Sequence, residues 1–249
     1  QAKVYELLGD INGVKCYIDD ILAVCKGDFA SHIKQLREIF RRFRKAGLKV
    51  NASKCSFGLK EIPYLGYIIT QKGVKPDPKK VQGIMDLKRP QTVKEVKSLI
   101  GLVQYYRDMW KRRSHILSPL TDVSSGKRNT KIPWNDTLEQ AFQGMKSMVA
   151  EETFLNYPNW SKPFIVHTDA SDKQLGAVIS QDNKPIAFFS QRLSKTQRNY
   201  TTTEKELLSI VECLKQFRNI LFGYEIHVYS DHKNLCLLYT SDAADECDS

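Results

Sequence analysis

The sequence predicts a mixed α/β (α+β) chain: a β-hairpin near the start, a helical middle, and a sheet with one long helix toward the end. Three observations predict it. Val14-Lys15-Cys16-Tyr17-Ile18-Asp19-Asp20-Ile21-Leu22-Ala23-Val24 pins two acids between short apolar runs, which reads as a hairpin with both acids at its turn. Through the middle of the chain apolar residues recur at helical spacing, with Gly and Pro as stops. Beyond Pro163 the pattern changes to short strands, one helix and a further strand, and two of those strands end in an acid.

The elements follow in order. Residues 4–25 read as the hairpin. Ile33, Leu36, Phe40 and Phe43 predict a helix over 29–46, stopped by Gly47, whose other faces carry Lys34, Arg37, Arg41, Arg42, Arg44 and Lys45. Leu48-Lys49-Val50, Ser56-Phe57-Gly58 and Tyr64-Leu65-Gly66-Tyr67-Ile68-Ile69 read as short strands, with Gly73 at a turn. Pro76-Asp77-Pro78 opens a helix over Val81, Ile84 and Leu87 that Pro90 ends. Thr92-Val93-Lys94-Glu95 is a capping box for a helix through Val96, Leu99, Ile100, Val103 and Tyr106. A short helix covers 116–123, and 124–129 is a loop. Leu138, Ala141, Phe142, Met145 and Met148 give one more helix. Residues 164–169, 175–181 and 185–190 then read as strands. Residues 203–220 read as a helix with Leu207, Ile210, Val211, Leu214 and Phe217 on one face, and 224–230 as a fourth strand followed by Asp231.

The 249 residues are enough for one large or two modest domains, and 41% hydrophobic content supports a core. The net charge of +10 is unevenly placed: 21 basic and 6 acidic residues fall between Lys34 and Arg113, while the remainder is net acidic. Such a basic stretch beside an acidic one suits a segment that grips a polyanion next to a metal-dependent site, and equally a solvated basic surface. Cysteines 16, 25, 55, 213, 236 and 247 form no Cys-x-x-Cys pair and no His pair stands at zinc spacing, so reduced thiols in an intracellular protein are expected. No apolar run approaches membrane length, and no signal peptide precedes Val4. Adjacent carboxylates at a rigid turn repel each other, and a divalent cation with a preference for oxygen, such as Mg²⁺, relieves that repulsion.

An ordered series of motifs carries a resemblance. It runs Tyr17-Ile18-Asp19-Asp20, Gly47-Leu48, Lys54-Cys55-Ser56-Phe57, Tyr64-Leu65-Gly66-Tyr67, Pro76-Asp77-Pro78 and Gly101-Leu102-Val103-Gln104-Tyr105-Tyr106-Arg107. It continues through Pro119-Leu120-Thr121, Thr168-Asp169-Ala170-Ser171, Glu204-Lys205-Glu206-Leu207-Leu208 and Ser230-Asp231-His232. This order resembles the reverse transcriptase/ribonuclease H region of gypsy-type long-terminal-repeat retrotransposon polyproteins, over roughly residues 4–235.

The resemblance implies a fold, sites and partners. The fold is a reverse-transcriptase palm remnant (1–73, with the catalytic hairpin and primer grip), thumb and connection helices (74–160), and an incomplete ribonuclease H-like domain (161–235). Asp19 and Asp20 resemble two of three polymerase metal ligands, and Tyr64, Leu65, Gly66 and Tyr67 the primer grip. Tyr17 and the cations Lys34, Arg37, Arg41 and Lys45 would touch nucleic acid, while Tyr105 and Tyr106 read as packing. Asp169, Glu206 and Asp231 resemble a ribonuclease H carboxylate set. Glu204 and Glu206 lie two apart on a helix, about 200° in direction, so only one points inward; Glu206 is preferred because it directly precedes the apolar run. His167 reads as packed, and His232 follows the metal acid.

The implied cofactor is Mg²⁺ or Mn²⁺ in two-metal sites. The implied partners are RNA template, DNA primer, RNA–DNA hybrid and dNTPs, with a homodimeric parent enzyme, no membrane, and a cytoplasmic particle or the nucleus as location. The third polymerase Asp and the fourth ribonuclease H Asp would lie outside this stretch, so polymerase activity of the chain alone is not expected. Residues 236–246 resemble a translated transposase-based sequencing adapter, which makes 236–249 a non-native tail. A catalytically dead nucleic-acid-binding remnant or host-adopted domain is the alternative.

Overall fold

The computed structural model describes residues 2–151 and 153–231. They form two compact units that divide between Leu65 and Gly66. The 74–160 and 161–231 stretches therefore share one unit. Residues 232–249, with His232 and the adapter-like tail, lie outside the described residues.

The first unit begins with helix α1, Ala2–Leu8, followed by strands β1, Val14–Tyr17, and β2, Asp20–Ala23, which pair antiparallel. Val24 N donates to Gly13 O at 2.8 Å and closes the hairpin. Gly13 has φ 78°, and a Cβ there would stand 2.1 Å from Val24 O, so only glycine fits. Helix α2, Phe29–Lys45, is capped by Asp28, whose carboxylate accepts from Ser31 N at 2.8 Å. Its buried side is Leu36, Ile39 and Phe43, packed with Leu8 and Val14. Phe40, expected on that side, is instead largely exposed and rests on Phe57, ring to ring at 6.1 Å. Arg42 locks α1 to α2: it donates to Leu7 O at 2.8 Å and pairs with Asp10 and Glu38. The expected strands at 48–50 and 56–58 are irregular backbone, with Leu48, Val50 and Phe57 exposed. Strand β3, Ile62–Tyr64, ends the unit.

The second unit opens with strands β4, Tyr67–Ile69, and β5, Gly73–Pro76, joined antiparallel and extended by β6, Leu155–Asn156. Four helices carry its first core. Helix α3, Pro78–Met85, starts on Asp77, and α4, Val93–Tyr105, starts on Thr92. The capping box of α4 is half made: Thr92 Oγ1 accepts from Glu95 N at 3.3 Å, but the Glu95 carboxylate accepts from Gln91 N, at 2.7 Å. Helices α5, Arg113–Val123, and α6, Asp136–Ala150, complete the set. Val96, Val103, Trp110, Leu120, Phe142 and Met145 form its buried centre.

The second core lies under a four-stranded sheet. Strands β7, Phe164–Ala170, β8, Gln174–Gln181, and β9, Lys184–Arg192, run antiparallel in succession. Helix α7, Thr202–Gln216, breaks at Phe217 into a short α8, Arg218–Leu221. Strand β10, Ile226–Tyr229, then pairs parallel to β7, giving the order β10-β7-β8-β9. The buried side of α7 is Glu206, Ser209 and Cys213, continued by Phe217; of the face expected from periodicity, Phe217 is buried and Leu214 packs against the same core. Leu207 and Val211 are exposed. Small side chains at 209 and 213 let the helix lie close on the sheet, and Ser209 Oγ donates to Gly176 O at 3.0 Å.

A buried polar seam joins the helices to this sheet. Arg112 enters α5 with φ 55° and offers no side-chain cap. The Ser190 hydroxyl of β9 takes that role and accepts from Ser114 N at 3.0 Å. Arg113, 7% exposed, donates to Ser190 O at 2.8 Å and to Gln104. Ser114 Oγ also donates to Gln174 Oε1 at 3.2 Å.

Candidate active site

Two acids leave adjacent strands at one end of the β10-β7-β8-β9 sheet, and a third, on α7, is tied to the same end. Asp169 is the penultimate residue of β7 and is exposed. In the parallel pair, Tyr229 stands opposite His167, and Asp231 follows Tyr229 by the same two residues that separate Asp169 from His167. Both acids therefore leave adjacent strands at the same end. Glu206, 3% exposed on α7, accepts from Ala170 N through Oε1 at 3.0 Å, which ties the helix to the residue after Asp169. Glu204 faces away. Its carboxylate accepts from Thr201 N at 2.7 Å and Thr201 Oγ1 at 2.8 Å, completing a capping box, and these bonds hold it below the usual carboxylate range.

Two residues not singled out as site candidates brace this end. Ser209 Oγ lies 3.4 Å from Asp169 O, and buried Lys205 reaches Asp172 at 3.0 Å across the turn that follows β7. Their spacing from Glu206 on the helix was the one signal for them, but a serine and a lysine beside an apolar run carry no distinctive pattern. His167, which reads as packed, is exposed and stacks on Tyr229 at 5.0 Å.

In the first unit, Tyr17 pairs with Asp20 across the hairpin, which leaves Ile18 and Asp19 at its tip. Ile18 takes φ 54°, a costly conformation for a β-branched residue. Tyr17, Asp19 and Asp20 are all exposed. Burial raises the Tyr64 phenol above its usual range, and the charge of Asp20 adds to that rise. Lys34, Arg37, Arg41 and Lys45 recur at three- and four-residue steps and form one stripe of α2. Arg41 is held in a fork with Glu38 at 2.7 and 2.8 Å.

Leu65 and Gly66 both take positive φ, 47° and 75°, and make a tight turn. Within the second unit an aromatic cluster supports Gly66. The Tyr106 hydroxyl donates to Gly66 O at 2.6 Å, and Tyr67 stacks on Tyr105 at 5.7 Å. Burial pushes the Tyr67 phenol up to about 12.

All five candidate ligands are carboxylates, the donor type that suits a hard divalent cation. Among the described residues no three His, Cys, Asp or Glu side chains stand together in metal-holding geometry. The acids at each site thus fit such an ion in donor chemistry.

Residues 2–69 match the family described as reverse transcriptase (RNA-dependent DNA polymerase), and residues 134–228 match the RNase H-like domain found in reverse transcriptase. The Retrovirus-related Pol polyprotein from transposon opus of Drosophila melanogaster is 38% identical over 94% of this chain and 25% of its own length. That from transposon gypsy of the same organism is 35% identical over 94% of this chain and 24% of its own length. The chain thus spans about a quarter of the length of the curated relatives it matches. A solved structure of foamy viral protease-reverse transcriptase in complex with RNA/DNA hybrid superposes with a TM-score of 0.83 at 27% identity, covering 93% of this chain and 32% of that one. These matches mark residues 2–69 as reverse-transcriptase sequence and residues 134–228 as the RNase H-like domain found in reverse transcriptase, the same stretch in which the chain is similar to gypsy-type retrotransposon Pol polyproteins.

Proposed function

We propose that the chain is part of a retrotransposon polyprotein that synthesises DNA on an RNA template and cleaves the RNA strand of the resulting hybrid. The observation that carries this reading is the tie from Glu206 to Ala170 N at 3.0 Å, which sets a buried acid beside Asp169 where parallel β10 delivers Asp231. Asp169, Glu206 and Asp231 would hold Mg²⁺ or Mn²⁺ in the hydrolytic site, and Asp19 and Asp20 in the polymerase hairpin. Bound there, such ions supply an activated oxygen nucleophile and charge stabilisation at phosphorus. Tyr17 and the Tyr64–Tyr67 turn would position the primer end. The cations of α2 would hold phosphates without reading sequence. The boundaries 1–73, 74–160 and 161–235 serve as the working division into palm, thumb with connection, and ribonuclease H-like parts. The parent polyprotein would act as a homodimer on dNTPs, RNA template and DNA primer, in a cytoplasmic particle or the nucleus.

The chain alone would not extend a primer, because no third acid joins Asp19 and Asp20 among the described residues. Mg²⁺-dependent primer extension by this chain would refute that. A second reading, a catalytically dead nucleic-acid-binding domain, is favoured by the same lack of a closed three-acid group. Cleavage of a labelled RNA–DNA hybrid separates the two. The enzymatic reading expects Mg²⁺-dependent cleavage that Asp169→Asn abolishes. Hybrid binding without cleavage, unchanged by that substitution, establishes the second.

A further inference from the structure

Lys205 is a buried cation for which the hydrolytic reading has no use. It stands directly before Glu206 on α7 and is 6% exposed. A lysine side chain ordinarily keeps its charge in water and is almost never buried unless paired. Its ammonium donates to Asp172 Oδ1 at 3.0 Å, and the Asp172 side chain is 94% exposed. Such a pair adds little net stability, because desolvating the ammonium offsets its attraction to a solvated carboxylate. What the pair fixes is position.

Three residues on one side of α7 reach the segment 169–172. Lys205 holds Asp172, and Glu206 accepts from Ala170 N at 3.0 Å. Ser209 Oγ lies 3.4 Å from Asp169 O and donates at 3.0 Å to Gly176 O, on the residue opposite Asp169 in the ladder. Other bonds shape the turn within the sheet. Ser171 N donates to Gln174 O at 2.8 Å, Gln174 N to Ser171 Oγ at 3.2 Å, and Leu193 N to Lys173 O at 2.9 Å. None of these reaches α7, so they leave the distance from turn to helix to the first three. The lysine's stem leaves a stiff turn of helix, because the Thr201–Glu204 capping box closes the start of α7 and Lys205 N donates to Thr201 O at 3.0 Å.

We propose that Lys205, acting through Asp172, is a positioning residue of the hydrolytic site: it holds the turn after β7 onto α7, so that Asp169 keeps its place beside Glu206. The inference rests on the hydrolytic reading above and adds a residue to it. Asp172 anchors the outer end of the turn and Asp169 stands at its inner end, so releasing the first loosens the second. Groups that orient catalytic acids from behind typically carry roughly 10–100-fold of activity.

The test makes two measurements on the unaltered chain, Lys205→Met, Asp172→Ala and the double variant. The first is hydrogen–deuterium exchange without metal. Both single variants should lose protection at amides 170–173 and keep it in the helices α4 to α6. The second is steady-state cleavage of a labelled RNA–DNA hybrid at saturating Mg²⁺. Lys205→Met should lower kcat roughly 10–100-fold at unchanged KM, because a buried lysine makes no contact with substrate. Asp172→Ala should lower it by the same factor, and the double variant by no more than either single one, since all three break one contact. Asp172 is exposed, so its variant reports on the tie even where Lys205→Met fails to fold. Full kcat in Asp172→Ala overturns the positioning role, and a loss confined to Lys205→Met assigns the lysine's charge to Glu206 instead of to the turn. A lowered kcat with unchanged protection at 170–173 overturns it too, as does a raised KM at unchanged kcat. In each of these cases cleavage by the unaltered chain leaves the hydrolytic reading standing. Absence of cleavage by the unaltered chain overturns that reading, and the positioning role with it.

Discussion

Replacing Arg113 with Met should cost the second unit about 2–4 kcal/mol. The guanidinium is buried between α5 and β9, where it donates to Ser190 O at 2.8 Å and to Gln104. Each bond from a charged donor contributes roughly 1.5–3 kcal/mol, so two give about 3–6 kcal/mol. Burying the cation offsets part of that: burial lowers the Arg113 pKa, and Asp108 partly restores it. Methionine keeps the packing of the stem but leaves the Ser190 carbonyl and the Gln104 amide without their donor. The chain's three tryptophans, Trp110, Trp134 and Trp160, all lie in the second unit, so their fluorescence reports that unit alone. Urea unfolding followed by that signal gives the free-energy change, and the seam predicts one transition for helices and sheet in the unaltered chain. The variant should shift the midpoint down and separate the sheet from the helices. A loss below about 1 kcal/mol with a single unshifted transition would refute the view that this seam joins the two cores.

Other outcomes follow from the same structure. Glu204→Ala removes a capping box and should cost about 1 kcal/mol without touching hybrid cleavage, whereas Glu206→Gln should abolish cleavage; equal effects on cleavage would reverse the two assignments. Gly66→Ala forces a Cβ to 3.2 Å from Tyr105 and Tyr106 at a φ of 75°, so a loss of roughly 1–2 kcal/mol is expected by thermal melting. Arg41 and Arg42 lower the Glu38 pKa to about 2, from 4.5. A lowered folded-state value means that the stabilisation is present above 4.5 and is lost as pH falls toward 2. Glu38→Gln should therefore flatten the melting temperature of the first unit across that window, most clearly at low salt, and an unchanged pH profile would refute the assignment.

Much of this protein is fixed locally. Asp19-Asp20 between apolar runs marks a hairpin tip and Pro78 after Asp77 marks a helix start, because turn chemistry and capping act over three or four residues. Local order could not say which side of α7 is inward, since Leu207 and Val211 satisfy a helical stripe as well as Ser209 and Cys213 do. The sheet decided it: small side chains at 209 and 213 allow close approach, and Ala170 N needs the acceptor that Glu206 supplies. The strands expected at 48–50 and 56–58 had the right composition but form no ladder. Ser190 as the cap of α5 joins residues 76 apart in sequence, a pairing that no local pattern encodes. Which acids sit at a turn or a strand end was legible in the chain itself, because neighbouring residues set those positions. The resemblance implied that Asp169, Glu206 and Asp231 form one set; what sets Asp169 and Asp231 at one sheet end and Glu206 against Ala170 N is the folded arrangement, because parallel pairing of β10 with β7 and the docking of α7 are long-range events.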